Sequence, residues 1–126
     1  MSQQDRPDTV LVIDDNLDFR ELIVMIGQLC GTRVIQAGDC SEALRVIAGE
    51  LPRIKMILLD YFMPGMDPPA CAQAIGEKVG PSVPIVLVTA AIDPANRAAE
   101  LHLDRWIAKP VDPTTLRELI SQPIPV

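Results

Sequence analysis

Polar side chains that can bind a metal ion or a phosphoryl group stand at the ends of four short apolar runs. Asp14 and Asp15 follow the first of these runs, and Asp60 follows another. Thr89 and Lys109 come at the ends of two later runs. Because ligands of open α/β sheets bind beyond the carboxyl ends of the strands, these side chains are expected to converge on one rim. Chance would rarely place acidic, hydroxyl and ammonium groups at all four ends.

This set of side chains favours phosphoryl transfer assisted by a divalent cation. Three carboxylates on one rim repel each other unless a positive group joins them. Mg²⁺ prefers oxygen ligands and commonly takes one or two carboxylates together with waters and a phosphate oxygen. Lys109 adds a positive charge, and Thr89 adds a hydroxyl donor for a phosphoryl oxygen. A carboxylate can then attack phosphorus and form an acyl phosphate, while the cations neutralise the developing charge.

The apolar runs predict five β-strands. Three of the runs are apolar without alternation, as expected of parallel strands that are covered on both faces. The predicted strands cover residues 10–13, 33–36, 56–59, 85–88 and 106–108.

Amphipathic segments between the runs predict five helices. Asn16 is the expected N-cap of the first helix and Gly31 follows its end, while Asp39 and Glu42 have the spacing of a capping box. Prolines near the other three starts cost little, since the first turn of a helix lacks N–H partners. His102 is expected at the end of the fourth helix, where the helix dipole favours it. The predicted helices cover residues 17–29, 39 to about 49, 69–79, 94–103 and 113–121.

Five βα units in sequence predict a doubly wound α/β domain, with one parallel sheet and helices on both faces. We expect the domain at residues 9–121, a flexible N-terminal tail at 1–8 and a proline-rich C-terminal tail at 122–126. The length of 126 residues fits a single domain, and the hydrophobic fraction of 48% is enough for an aliphatic core.

Charge and hydropathy exclude two classes of partner. The formal net charge is −6 and no run of basic residues is present, so direct binding to nucleic acid is not expected. No apolar run reaches the length of a bilayer span and no leader pattern begins the sequence, so we expect a cytoplasmic protein without membrane contact. Cys30, Cys40 and Cys71 lack the spacing of a metal site and are expected to be three reduced thiols.

Four motifs in order resemble response-regulator receiver domains of two-component signalling. They are residues 10–15 (VLVIDD), 58–67 (LLDYFMPGMD), 88–90 (VTA) and 109–110 (KP). The resemblance covers residues 9–121 and is closest to stand-alone, chemotaxis-regulator-like receivers. It implies a flavodoxin-like strand order of 2-1-3-4-5 in the five-stranded sheet.

The resemblance also implies a role for each residue at the acidic rim. Asp60 would be the phosphoacceptor and a ligand of Mg²⁺. Asp15 would bind Mg²⁺ directly, Asp14 would help through water, and the backbone carbonyl of Phe62 would complete the protein ligands. The reaction would be the domain's own phosphorylation and dephosphorylation, so an enzyme acting on other molecules is not expected.

Three further positions match the switch machinery of the family. Thr89 would hydrogen-bond the phosphoryl group and move toward it, and Lys109 would pair with it. Trp106 stands where the family often has an aromatic switch residue. The Lys109–Pro110 bond is expected to be cis, as X–Pro bonds permit.

Departures from the family pattern are informative. Pro68 replaces a common Gly, so the loop after Asp60 should be stiff and the third helix should begin promptly. Phe62 and Ala91 stand where many relatives have polar residues, and Phe62 is expected to shield an acyl phosphate from water. Trp106 is larger than the usual Tyr and lacks its hydroxyl, so the standard coupling to Thr89 is not assured.

We therefore expect a receiver that takes a phosphoryl group from a phosphohistidine of a histidine kinase or a histidine phosphotransfer protein. The signal would leave through a downstream output protein or through an output domain missing from this chain. Two alternatives stay open: a pseudo-receiver binding module that is never phosphorylated, and an aspartyl-phosphate phosphatase of small molecules. The phosphatase would want a second Asp at the position of Phe62. Dinucleotide binding is not expected, because no glycine-rich loop follows the first strand.

Overall fold

Five parallel strands form a single sheet in the computed structural model, which describes residues 7–121. The strand order is β2-β1-β3-β4-β5, so the predicted fold and strand order are confirmed. Residues 1–6 and 122–126, which make up most of the two predicted tails, lie outside the described residues. The strands are β1 (Thr9–Ile13), β2 (Arg33–Ala37), β3 (Ile54–Leu59), β4 (Ile85–Thr89) and β5 (Arg105–Ala108).

Five α-helices connect or follow the strands, each beginning within one residue of its predicted start. No helix within residues 7–121 has both the length and the hydrophobicity that crossing a bilayer requires. The helices are α1 (Leu17–Cys30), α2 (Cys40–Glu50), α3 (Pro68–Val79), α4 (Pro94–Glu100) and α5 (Pro113–Ile120), with one turn of 3₁₀ helix at Leu51–Arg53.

The starts of α1 and α2 have the caps that the sequence predicts. The Asn16 side chain accepts a hydrogen bond from the Phe19 N–H at 2.9 Å. The Asp39 side chain accepts one from the Glu42 N–H at 2.8 Å. Glu42 in turn accepts from the Gly38 N–H at 2.8 Å, so the box closes one residue earlier than in its usual form.

The end of α4 differs from the prediction. The helix stops at Glu100 rather than at residue 103, because His102 adopts a left-handed conformation with φ of 58°. The N–H of His102 then donates to Ala99 O and that of Leu103 to Ala98 O, which satisfies the last carbonyls of the helix. Glycine usually occupies such a position, so a histidine gives the sequence no stop signal.

The core lies in two layers, one on each face of the sheet. One layer packs α1 and α5 against the sheet, with Ile23, Ile26 and Leu116 among its buried side chains. The other packs α2, α3 and α4 against the opposite face, with Ile47 and Ile75 among its members. β1 is buried along its whole length, as expected of a central strand covered on both faces.

The register of the sheet places the polar residues of the rim side by side. Ile13 pairs with Leu59, so Asp14 and Asp60 leave neighbouring strands at the same level. The Asp60 N–H continues the ladder with a hydrogen bond to Ile13 O at 3.0 Å. At the same rim, between β4 and β5, the Lys109 N–H donates a hydrogen bond to Thr89 O at 2.8 Å. Convergence on one rim therefore follows from backbone pairing.

The cysteines correct one expectation from the sequence. Cys40 and Cys71 form a disulfide with a Cα–Cα distance of 6.0 Å, so the prediction of three reduced thiols was wrong for this pair. Cys30 has a free thiol. The two partners are 31 residues apart, and the packing of α2 against α3 brings them together. Nothing in the local sequence indicates that contact.

Gly27 lies where α1 approaches β2 closely, so a substitution there tests this contact. A Cβ at this position would lie 2.5 Å from Val34 Cγ2 and 2.7 Å from the backbone oxygen of Thr32. Gly27→Ala is therefore expected to lower the free energy of unfolding by about 1–2 kcal/mol, because overpacking outweighs the gain in helix propensity. Urea denaturation measures the change.

Gly49→Ala is the matched control, because a Cβ there meets no atom within 4 Å. It also lies in a helix, so the same substitution should raise the free energy of unfolding by up to ~1 kcal/mol. Equal stabilities for the two variants would contradict the close approach of α1 to β2.

Candidate phosphoryl and metal site

Three carboxylates meet at the carboxyl ends of β1 and β3. Oxygens of Asp14, Asp15 and Asp60 all lie within 4.8 Å of one another. Asp14 is 1% exposed and Asp60 is 8% exposed, whereas Asp15 is open to solvent. The structure thus brings together the three acidic residues that the sequence places after strands.

Lys109 joins this cluster from the end of β5. Its Nζ lies 2.6 Å from Asp14 Oδ2 and 3.7 Å from Asp60 Oδ2. The same ammonium group stands 4.3 Å from the centroid of the Phe19 ring, within the range of a cation–π contact. Lys109 therefore compensates the charge of Asp14 closely and that of Asp60 only in part, while an aromatic ring limits the contact of its ammonium group with water.

Arg20 is a part of the site that sequence reasoning missed. Its Nη1 donates to the backbone oxygen of Asp14 at 2.8 Å, and its Nε donates to Gln36 Oε1 at 3.1 Å. A Cβ at Gly38 would lie 3.3 Å from the same Nη1, so a side chain there would press on the guanidinium. Asp14 Oδ1 also accepts from the Asn16 N–H at 2.9 Å. These contacts fix the loop that carries Asp14 and Asp15.

The environment of Asp60 raises its pKa above the ordinary value for Asp. Burial is the main cause and the negative charge of Asp14 is the second, while Lys109 and the backbone N–H groups of Tyr61 and Phe62 oppose the rise. Among the described residues, Asp60 Oδ1 is a buried side-chain oxygen without a hydrogen-bond partner. An orphaned carboxylate oxygen beside two further carboxylates fits a hard, oxygen-seeking dication such as Mg²⁺.

Thr89 and Trp106 occupy the neighbouring strands β4 and β5. Thr89 is fully buried, and its hydroxyl oxygen accepts a hydrogen bond from the Ala91 N–H at 3.2 Å. Trp106 lies on the edge strand β5, where it pairs with Leu87 of β4, and it is 44% exposed. The peptide bond between Lys109 and Pro110 is cis.

The loop after Asp60 is fastened to α4, which the sequence did not indicate. The Tyr61 hydroxyl donates to Glu100 Oε1 at 3.0 Å, and the Arg97 guanidinium lies 5.3 Å from the Tyr61 ring centroid. Arg97 also pairs with Glu100 at 2.9 Å. Phe62 packs edge-on against Tyr61 and is 56% exposed. Tyr61 gave no signal of its own, because its partners lie more than thirty residues away in the sequence.

Comparison with known proteins identifies the class to which this fold and site belong. The family model described as "Response regulator receiver domain" matches residues 10–121. Among solved structures, the chemotaxis protein CheY4 of Vibrio cholerae is 25% identical with a TM-score of 0.76, covering 89% of this chain and 94% of that one. The response regulator TrrA of Thermotoga maritima, in complex with Mg²⁺–BeF, is 25% identical with a TM-score of 0.75, covering 90% and 96%.

Curated relatives include both long and short proteins. The probable transcriptional regulator ycf27 of Guillardia theta is 33% identical over 113 residues, which are 88% of this chain and 43% of that protein. A 14.6 kDa protein encoded in the sodA1 3′ region of Leptolyngbya boryana is 33% identical over 116 residues, or 90% and 87%. The chain thus spans less than half the length of several curated relatives that it matches.

The fold and the acidic rim are those of a phosphoacceptor signalling domain. The chain belongs to the response-regulator receiver family of two-component signalling. The resemblance inferred from the four motifs is confirmed.

The buried charge of Asp60 has a consequence for stability. In metal-free protein at neutral pH, Asp60→Asn is expected to raise the thermal midpoint by a few degrees, because a buried charge beside Asp14 is removed. The raised pKa means that the native state holds this proton to a higher pH than the unfolded chain does. Wild-type stability therefore falls as the pH rises from the usual Asp value of 3.8 through the raised pKa, and the gain in the variant grows over that window.

Calorimetry in EDTA across this pH range measures the difference. Asp104→Asn is the control, because Asp104 is exposed and its replacement should change stability little at any pH. An Asp60→Asn protein no more stable than wild type at neutral pH would contradict the assignment of a destabilising buried charge.

Proposed function

We propose that this chain accepts a phosphoryl group from a phosphohistidine onto Asp60 in a Mg²⁺-dependent reaction. The observation that carries the proposal is the Asp60 carboxylate, whose buried Oδ1 has no hydrogen-bond partner among the described residues. The same carboxylate lies beside Asp14 and Asp15, and its Oδ2 is 3.7 Å from the ammonium of Lys109. This arrangement supplies a nucleophile, oxygen ligands and a counter-charge at one point. The complex of the relative TrrA with Mg²⁺–BeF supports the same reading.

The protein ligands of Mg²⁺ in this proposal are Asp15, Asp60 and the backbone carbonyl of Phe62. Asp14 would contribute through water, because its Oδ2 already pairs with Lys109 and its Oδ1 with a backbone N–H. When bound, Mg²⁺ neutralises charge on the carboxylates and on the phosphoryl oxygens.

Asp60 is the nucleophile of the proposed reaction. A carboxylate oxygen of Asp60 attacks phosphorus as the phosphorus–nitrogen bond of the phosphohistidine breaks, and the electron pair of that bond returns to the imidazole. Lys109 is near enough to Asp60, at 3.7 Å, to turn from Asp14 toward the oxygens of the new acyl phosphate. The Thr89 hydroxyl would rotate from its contact with the Ala91 N–H and donate to a phosphoryl oxygen.

The phosphoryl donor in this proposal is a histidine kinase or a histidine phosphotransfer protein, and the domain works in the cytoplasm. The signal leaves through a changed binding surface, read by a partner protein or by an output domain of a longer protein. The relative ycf27 is a probable transcriptional regulator, and PhoB of Pseudomonas aeruginosa is a transcriptional regulatory protein of the phosphate regulon. Each is about twice as long as the segment matched here. Movement of Thr89 would reach the surface through Trp106 on the adjacent strand.

Phosphorylation is tested with Mg²⁺ and acetyl phosphate. We expect one phosphoryl adduct by intact mass, labile to hydroxylamine, absent in EDTA and absent in Asp60→Asn. Asp67→Asn is a matched control, since Asp67 caps α3 in the same loop and is not placed at the acidic rim. An adduct that persists in Asp60→Asn would refute the assignment of the acceptor.

Two other outcomes point to the alternative functions. No adduct under any condition would favour a pseudo-receiver that only binds partners. Multiple turnover of an external phosphate ester would favour a small-molecule phosphatase, although Phe62 stands where such an enzyme would want a second Asp.

Phe62 is expected to set the lifetime of the acyl phosphate. Phe62 lies two residues after Asp60, and its ring packs edge-on against Tyr61, where it would present an apolar surface to incoming water. Phe62→Asn should shorten the lifetime severalfold, while Phe62→Leu, which keeps an apolar side chain, should stay close to wild type. Loss of phosphate is followed by intact mass after the donor is removed. An unchanged lifetime in Phe62→Asn would show that the ring does not exclude water.

A further inference from the structure

The disulfide between Cys40 and Cys71 lies against the loop that carries the phosphoacceptor. Cys40 is the first residue of α2, directly after its N-cap Asp39, and Cys71 lies in the first turn of α3. Both side chains belong to the core layer on that face of the sheet and are at most 3% exposed. The bond therefore ties together two helix starts at the same edge of the sheet as the acidic rim.

The covalent ring that this disulfide closes contains Asp60. The two cysteines are 31 residues apart, and the segment between them includes α2, β3, Asp60 and Phe62. Met66, in the same segment, places its Sδ 3.9 Å from Cys40 Sγ. Met66 is 40% exposed, so a displacement of this loop would open a path from solvent to Cys40.

We propose that Cys40 and Cys71 form a reversible redox modification site whose oxidant is a low-molecular-weight disulfide such as oxidised glutathione. A pair of cysteines in contact, buried beneath a partly exposed loop, is suited to oxidation without a change of fold. Cys30 does not take part, because it packs against the core layer on the opposite face of the sheet.

Formation of the bond proceeds by two exchange steps. The Cys40 thiolate attacks one sulfur of the external disulfide, forms a mixed disulfide and releases one small thiol. The Cys71 thiolate then attacks the sulfur of Cys40 and releases the second small thiol. The two cysteines lose two electrons, the external disulfide gains them, and the two thiol protons pass through solvent to the leaving thiolates.

The redox state is expected to change the chemistry at Asp60, and this part of the inference rests on the proposed function. In the disulfide form, the start of α3 cannot move away from α2, so the loop from Tyr61 to Asp67 has one end held. In the dithiol form the same loop is less restrained and can adjust to a phosphoryl group. Coupling between two sites is reciprocal, so occupancy of Asp60 would also shift the thiol–disulfide equilibrium.

The modification site is tested by counting thiols in the full chain. After equilibration with oxidised glutathione, quenching and denaturation, iodoacetamide should modify only Cys30, whereas dithiothreitol should make all three cysteines reactive. The disulfide form should melt about 10 °C above the dithiol form, as expected for closure of a ring of this size. Three reactive thiols after equilibration with oxidised glutathione would overturn the proposal.

Variants separate this pair from general effects of the redox buffer. Cys30→Ser should keep the full difference in thermal midpoint, whereas Cys71→Ala and Cys40→Ala should each abolish it. Two single variants are used because, if one of them fails to fold, the thermal midpoint of the other still tests the assignment. A shift that survives in both Cys71→Ala and Cys40→Ala would refute the assignment.

Coupling to Asp60 is tested by titrating Mg²⁺ and beryllofluoride into Cys30→Ser protein in each redox state. The fluorescence of Trp106, which is the only tryptophan in the chain, reports binding. We expect a severalfold difference in affinity between the two states and no difference in Cys71→Ala. Equal affinities would overturn the coupling, while absence of binding in both states would overturn the proposed function and leave the thiol count to decide the redox site.

Discussion

Two buried carboxylates repel each other at the centre of the acidic rim, and one ammonium group limits that repulsion. Asp14 and Asp60 are almost fully buried, and each would be costly as an isolated charge. Lys109 pairs closely with Asp14 and more loosely with Asp60, so the second carboxylate is only partly compensated. Burial first, and the charge of Asp14 second, raise the pKa of Asp60. Among the described residues, its buried Oδ1 also has no hydrogen-bond partner.

The fold supplies the rigid frame that this imbalance requires. The ladder of β1, β3 and β4 is buried on both faces, and the hydrogen bond from Asp60 N–H to Ile13 O extends it to the edge of the site. Arg20 holds the loop after β1 by its backbone, so Asp14 and Asp15 cannot move apart without breaking a partly buried hydrogen bond. The Asp60 carboxylate is only partly compensated and is held in place. It can therefore bind a cation or attack an electrophilic phosphorus atom without first rearranging.

The loop that follows Asp60 is restrained on two sides. Tyr61 joins it to α4 through Glu100 and Arg97, and Cys71 joins the start of α3 to α2 through the disulfide. A change at Asp60 can therefore be transmitted in two ways: through the hydrogen bond between Tyr61 and Glu100, and through the core layer that contains Cys40 and Cys71. Phe62 lies between these two fixed points in the sequence and is 56% exposed.

Much of the fold and of the acidic rim was predictable from the sequence, because both depend on local patterns. Apolar runs of strand length, helix caps such as Asn16 and the residue types after each strand are all written along the chain. The rule that parallel strands end at one edge then brings Asp14, Asp60 and Lys109 together without any knowledge of side-chain packing.

Local patterns along the chain were thus enough to predict the order of elements and the chemical character of one rim. Four features became visible only in the folded chain: Arg20 holds the Asp14 loop, Tyr61 contacts α4, Cys40 contacts Cys71, and α4 ends early at a left-handed His102. The physical reason is that the first three depend on side chains from elements distant along the chain. The fourth depends on a backbone conformation that a non-glycine residue adopts only when its surroundings stabilise it.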